Sequence, residues 1–72
     1  MSTQWVTNGQ IEKVLGPWWL EDLTFRESAS MEDRVRIANL VLGERGYSAR
    51  VLECRVVGEF VQWRVIPQEF GL

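Results

Sequence analysis

The side chains of this 72-residue chain that could do chemistry are ten carboxylates, seven arginines, one lysine and one cysteine, with no histidine. General acid–base work at neutral pH falls most often to histidine, and a nucleophilic cysteine needs a base beside it. Here only carboxylates remain to serve. Glu21 and Asp22 are adjacent, so in a strand they point to opposite faces. Glu32 and Asp33 are adjacent at the expected start of a helix, where capping and the positive end of the helix dipole account for them. No G-x-S-x-G or phosphate-cradling glycine pattern occurs. A Cys–His metal site would need a second cysteine or a histidine, and no calcium-loop pattern is present. The expectation is a chain with no catalysis, no cofactor and no metal.

What remains is binding chemistry: arginines interleaved with aromatic and apolar residues. The clearest element to position them is a helix over residues 31–45. Met31, Val35, Ala38 and Leu42, with Leu40 and Val41 alongside, form an apolar stripe, and Glu32, Arg36, Asn39 and Gly43 lie opposite. Ser30 followed by Asp33 reads as an N-cap of the capping-box type, and Arg45 with Gly46 as the stop. Two β-rich runs follow, residues 47–57 and 60–66, separated by Gly58-Glu59, which suits a two-residue type II′ hairpin. That turn sets a register of Val57/Phe60, Val56/Val61, Arg55/Gln62, Cys54/Trp63, Glu53/Arg64, Leu52/Val65 and Val51/Ile66. One face is then an apolar strip of Val56/Val61, Cys54/Trp63 and Leu52/Val65 that should cover the helix, with Cys54 as a small buried hydrophobe. Before Val51 the alternation changes phase, which suggests a bulge, or a strand covered on both sides at its start. Pro67 ends the second strand, and residues 68–72 read as a frayed tail.

The first third allows two readings. Asn8-Gly9 could turn a hairpin between residues 4–7 and 10–13, placing Val6 opposite Ile11. Alternatively Thr7 caps a short helix with Gln10 at its N3 position, Ile11, Val14 and Leu15 forming one face and Gly16-Pro17 the stop; the helix explains both ends by one mechanism. Residues 19–26 alternate loosely and read as a strand, although Pro17-Trp18-Trp19-Leu20 could begin a helical turn. The expected fold class is α+β: a small single-layer antiparallel sheet in a β-α-β-β core, with one main amphipathic helix packed on it. At this length the whole of residues 1–72 can enclose only one core, so a single domain is expected.

Two surfaces compete for function. On the hairpin, Val51/Ile66 and Val57/Phe60 flank Arg55, Gln62, Glu53 and Arg64, which places apolar anchors beside directional polar groups. Trp5, Trp18 and Trp19 add aromatic anchors that do not fit easily into so small a core with Trp63, or else cap the ends and open face of the sheet. Together they read as a protein-binding surface. The same face offers a second reading, in which Arg50, Arg55 and Arg64 contact phosphates and aromatics stack bases. The net charge of −2 provides no overall positive field for nucleic acid, and Glu53 and Glu59 intrude among the arginines. The arginine bias reflects either interface use or a GC-rich coding sequence. A homodimer through an edge strand at residues 60–66 or 19–26 is a further option.

The run Gly46-Tyr47-Ser48-Ala49-Arg50-Val51 after an amphipathic helix resembles the helix-to-strand step of several ferredoxin-like and peptidoglycan-binding repeat domains. In size and organisation the chain is similar to small inhibitors that phages encode against host defence or regulatory complexes. That likeness implies a viral protein that works by blocking a partner's surface. A lone cysteine, no basic-then-apolar start and no apolar run near the ~20 residues a bilayer needs predict a cytoplasmic protein without a membrane partner.

Overall fold

The computed structural model describes residues 2–72; Met1, the first residue of the expected domain, lies outside them. Strand β1 (Gln4–Thr7) leads directly into helix α1 (Asn8–Leu15), followed by the short helix α2 (Trp18–Asp22), the long helix α3 (Met31–Glu44), and strands β2 (Val51–Val57) and β3 (Phe60–Val65). A 3-10 turn, Pro67–Phe70, closes the chain. The three strands form one antiparallel sheet in the order β1-β3-β2, and the helices lie on one side of it. This is the expected α+β class. Its first strand, however, is residues 4–7, and residues 19–26 form α2 and a loop instead of a strand.

Thr7 explains the entry. It is the last residue of β1 and the N-cap of α1, its side chain accepting from the Gln10 N–H (3.2 Å) while the Gln10 side-chain oxygen accepts from the Thr7 N–H (2.8 Å). A capping box of this kind satisfies two otherwise unpaired donors at once, so the chain turns from strand to helix with no loop. The helix reading of this segment is the right one, with Thr7 as cap, Gln10 at N3 and Gly16 as the stop; of the hairpin reading only the strand at residues 4–7 holds, because β1 pairs with β3 and not with residues 10–13. Val6 therefore stands opposite Trp63, and Ile11 is buried from α1.

Asn8, the first residue of α1, holds the core together. Its side-chain oxygen accepts from the indole N–H of Trp19 (3.0 Å) and from that of Trp63 (2.6 Å), joining α1, α2 and β3 at one atom. The two indoles meet edge to face, 5.6 Å apart at 73°. Each removes at most about 4–6 kcal/mol worth of area from water, and the Asn8 carbonyl satisfies the one polar atom that each would otherwise bury unpaired.

Helix α3 begins as expected, with the Ser30 hydroxyl accepting from the Asp33 N–H (3.0 Å). The Asp33 carboxylate does not complete the box; it pairs with Arg36 one turn on, being a methylene shorter than the glutamate that reaches back. The helix ends in a Schellman arrangement, the Tyr47 N–H bonded to the Leu42 carbonyl (3.0 Å) and the Gly46 N–H to that of Gly43 (3.1 Å). Ala38 and Leu42 are buried, but Leu40 is exposed, and the stripe includes a residue the periodicity did not mark: Arg34. Its guanidinium lies 5.5 Å from the Phe25 ring and donates to the carbonyls of Arg26 (3.3 Å) and Ala29 (3.4 Å), fastening the loop before the helix. Asn39, expected on the solvent side, turns to β2 and bonds both the N–H (2.8 Å) and the carbonyl (3.0 Å) of Val51.

The hairpin register is as expected from Val57/Phe60 to Glu53/Arg64. Gly58 takes φ +61° while Glu59 stays at negative φ, as a type II′ turn requires. The bulge lies further into the strand than the sequence suggested, between Val51 and Glu53, so Val51 replaces Leu52 opposite Val65 and the expected Leu52/Val65 and Val51/Ile66 pairs do not form. Val51, Cys54, Trp63 and Val65 face the core, whereas Leu52, the extra residue of the bulge, and Val56 remain exposed. The tail is not frayed: Phe70 is buried, and the Leu72 N–H bonds the Pro67 carbonyl (3.0 Å). Among the described residues no helix is long and apolar enough to cross a membrane.

Candidate functional site

With the helices on one side of the sheet, its other side is left open. Strand alternation assigns that open face. Trp5 and Thr7 from β1, Gln62, Arg64 and Phe60 from β3, and Glu53, Arg55 and Val57 from β2 lie across from one another in register, while Val6, Trp63 and Cys54 point to the core. Six of the eight residues singled out for protein binding, Trp5, Arg55, Val57, Phe60, Gln62 and Arg64, therefore share one surface.

Arg55 crosses that surface. Its side chain leaves β2, hydrogen-bonds through Nε to Gln62 Oε1 on β3 (2.7 Å), and places its guanidinium over the Trp5 ring on β1, 3.9 Å from the centroid. One side chain thus spans all three strands. Its planar fork is held by stacking below and a hydrogen bond at one side. Among the described residues no carboxylate pairs with it. Arg64 behaves differently: it forms an ion pair with Glu53 and donates to the Thr3 hydroxyl (3.4 Å). Thr3, one residue before β1, and Thr7, which the sequence marks only as a helix cap, were not among the surface candidates, although their parity with Trp5 marks them for the same face. At the turn end, Phe60 is 65 % exposed and its partner Val57 49 %. Such exposure of a phenylalanine beside a valine leaves a small apolar patch next to the arginines.

The other candidates lie elsewhere. Trp19 is fully buried and serves the core, a correction to its assignment as a surface anchor. Trp18 is half-buried on the helical side, its ring stacked on Tyr47 (5.9 Å, 23°) and covered by Arg45 at 4.1 Å, its N–H bonded to the Leu15 carbonyl (2.8 Å). Asp22 pairs with the same Arg45. Arg50 stands between buried Ala49 and Val51, so its side chain leaves on the side away from the core, while its backbone N–H is bonded by Glu69 (3.3 Å).

Cys54 points away from this face, into the core side, where burial pushes its thiol pKa up and the nearby Arg34 guanidinium pulls the other way. Burial is the larger effect, so the thiol is held protonated and poorly nucleophilic. The open face itself offers two guanidiniums, an amide, two hydroxyls, one carboxylate and an apolar rim: groups that bind and orient. No known protein family, curated protein or solved structure matches this chain.

Proposed function

We propose that this chain is a non-catalytic protein-binding module that occupies a partner's surface with the open face of its sheet. The observation that carries the reading is Arg55, an exposed side chain held across three strands by Trp5 and Gln62. A pre-organised guanidinium loses little freedom on binding, and the surplus goes into affinity. The partner it fits presents a carboxylate for this fork beside an apolar side chain for the Phe60/Val57 patch. Two guanidiniums against one carboxylate give the face a positive balance on a chain whose net charge is −2, which orients the encounter with an acidic surface. Blocking that surface requires no chemistry, in keeping with an inhibitor or adaptor.

The test uses immobilised wild type beside Phe60→Ala and Trp5→Ala, with Leu40→Ala, on the exposed side of α3, as control. A protein retained after nuclease treatment, lost with the two open-face variants and kept by Leu40→Ala, is the expected result. Phe60→Ala should cost about 2 kcal/mol, a roughly 30-fold loss of affinity, if it anchors the contact. Equal retention by the open-face variants would overturn the assignment of the surface. Nuclease-sensitive material that dissociates steeply with salt would instead make the face a nucleic-acid site using Arg55 and Arg64, without Arg50.

A further inference from the structure

The sheet has two free edges, β1 and β2; β3, which the sequence offered as an edge, is its centre. In a two-residue hairpin the residues flanking the turn form a hydrogen-bonded pair, and the alternation of an antiparallel ladder then directs the backbone N–H and C=O of Val56 and Cys54 outward. At Val51 the outward groups are taken by the Asn39 amide. Among the described residues no side chain or loop does the same for Cys54 or Val56.

We infer that two copies of this chain pair antiparallel along the outer edge of β2, about a two-fold axis at Cys54. The sequence of the strand is complementary to itself in that register alone. Reading Leu52-Glu53-Cys54-Arg55-Val56 against its own reverse sets Glu53 opposite Arg55 of the second copy, twice, and Leu52 opposite Val56, twice. Centring on Arg55 would oppose two arginines, and centring on Glu53 two glutamates, each destabilising. The apolar pairs also suit the structure. Val56 is 50 % exposed and Leu52 37 %. Leu52 lines a groove of about 370 Å³ between α3 and β2, with Met31 and Val35 beside it, and Val56 of the second copy enters that groove. Among the described residues the Arg55 fork has no carboxylate partner, and Glu53 meets Arg64 through one oxygen, Oε1, leaving the other for Arg55 of the second copy. To reach it, Arg55 leaves the Trp5 ring and Gln62 for the strand edge, so the dimer and the pre-organised fork of the proposed binding face are alternative states of the same side chain. An unprotected edge is a template for pairing, and a two-fold axis uses each contact twice.

Sedimentation of the full chain over a concentration series tests the inference. Wild type is expected to form a dimer at or below about 1 mM, the weak end of specific association. Glu53→Arg and Arg55→Glu should each weaken it at least about tenfold by opposing like charges, and the double variant Glu53→Arg/Arg55→Glu should restore it. Val56→Lys, at a position already exposed, should give a folded monomer by circular dichroism, which separates loss of pairing from loss of fold. A wild-type chain that stays monomeric throughout the series overturns the inference. So does a dimer that survives Val56→Lys, or one that the charge-swapped pair fails to restore.

Discussion

Removing the Asn8 side chain should take away a large share of this protein's stability, although Asn8 is a half-buried polar residue at a helix start. Asn8→Ala takes away the acceptor of two indole N–H groups, Trp19 at 3.0 Å and Trp63 at 2.6 Å, both on fully buried rings. A buried donor left unpaired costs about 1–3 kcal/mol, so two together cost about 2–6. Because Asn8 itself is half-buried, water gains access to part of the gap, which places the loss near the lower end, about 2 kcal/mol. At about 0.1 kcal/mol per residue a chain this short holds only about 7 kcal/mol in total. With a urea m-value near 1 kcal/mol/M for so small a chain, the unfolding midpoint falls by about 2 M. Tryptophan fluorescence reports the same event directly, since both indoles are the probes. Asn8→Asp keeps an acceptor oxygen in place and should stay much closer to wild type. Equal loss in both variants, or a midpoint in Asn8→Ala within about 0.5 M of wild type, would show that the shared oxygen is not what holds the two indoles.

Other substitutions probe other links. Asn39→Leu leaves the outward N–H and C=O of Val51 without their partner and should cost about 1–3 kcal/mol in chemical unfolding, with faster hydrogen exchange at the Val51 amide. Gly16 holds φ +115° and ψ 170° between α1 and α2, a region that residues with a Cβ avoid, and an added Cβ would lie 3.3 Å from the Trp18 ring. Gly16→Ala should therefore cost about 1–3 kcal/mol, visible as a lower thermal midpoint. Burial raises the Cys54 pKa, so the folded state holds its proton where the unfolded thiol releases it. Stability is intact below the unfolded value of about 8.5 and falls as pH rises above it. Urea midpoints at neutral and alkaline pH should diverge in wild type and less so in Cys54→Ala; an equal pH slope in the variant would assign the effect to other groups.

The parts of the fold that were legible from sequence are those fixed by local rules. Thr7 with Gln10, Ser30 with Asp33, and Gly58-Glu59 each carry their own geometry, so both longer helix starts and the hairpin register followed from spacing. What the sequence hid depends on contacts across the chain. Residues 19–26 have the loose alternation of a strand, but the indole of Trp19 finds Asn8, 11 residues earlier, and burying that ring needs a helical turn after Pro17. The bulge at Leu52 is likewise set from a distance, because the Asn39 amide fixes Val51 and the strand must accommodate one extra residue before Glu53. Arg34 was passed over because it is charged, yet it stands four residues before Ala38 on the same helix face, and a positional reading of the stripe includes it. The candidate site divides in the same way. The hairpin residues Arg55, Val57, Phe60, Gln62 and Arg64 share a face because register forces them to. Trp5 joins them only because β1 pairs with β3, a contact made by residues about sixty positions apart. It is this long-range pairing that sets an aromatic platform under Arg55, so the rigidity of the proposed binding face is a property of the closed three-stranded sheet and not of the hairpin alone. A hairpin excised from the chain would keep the residues and lose the platform.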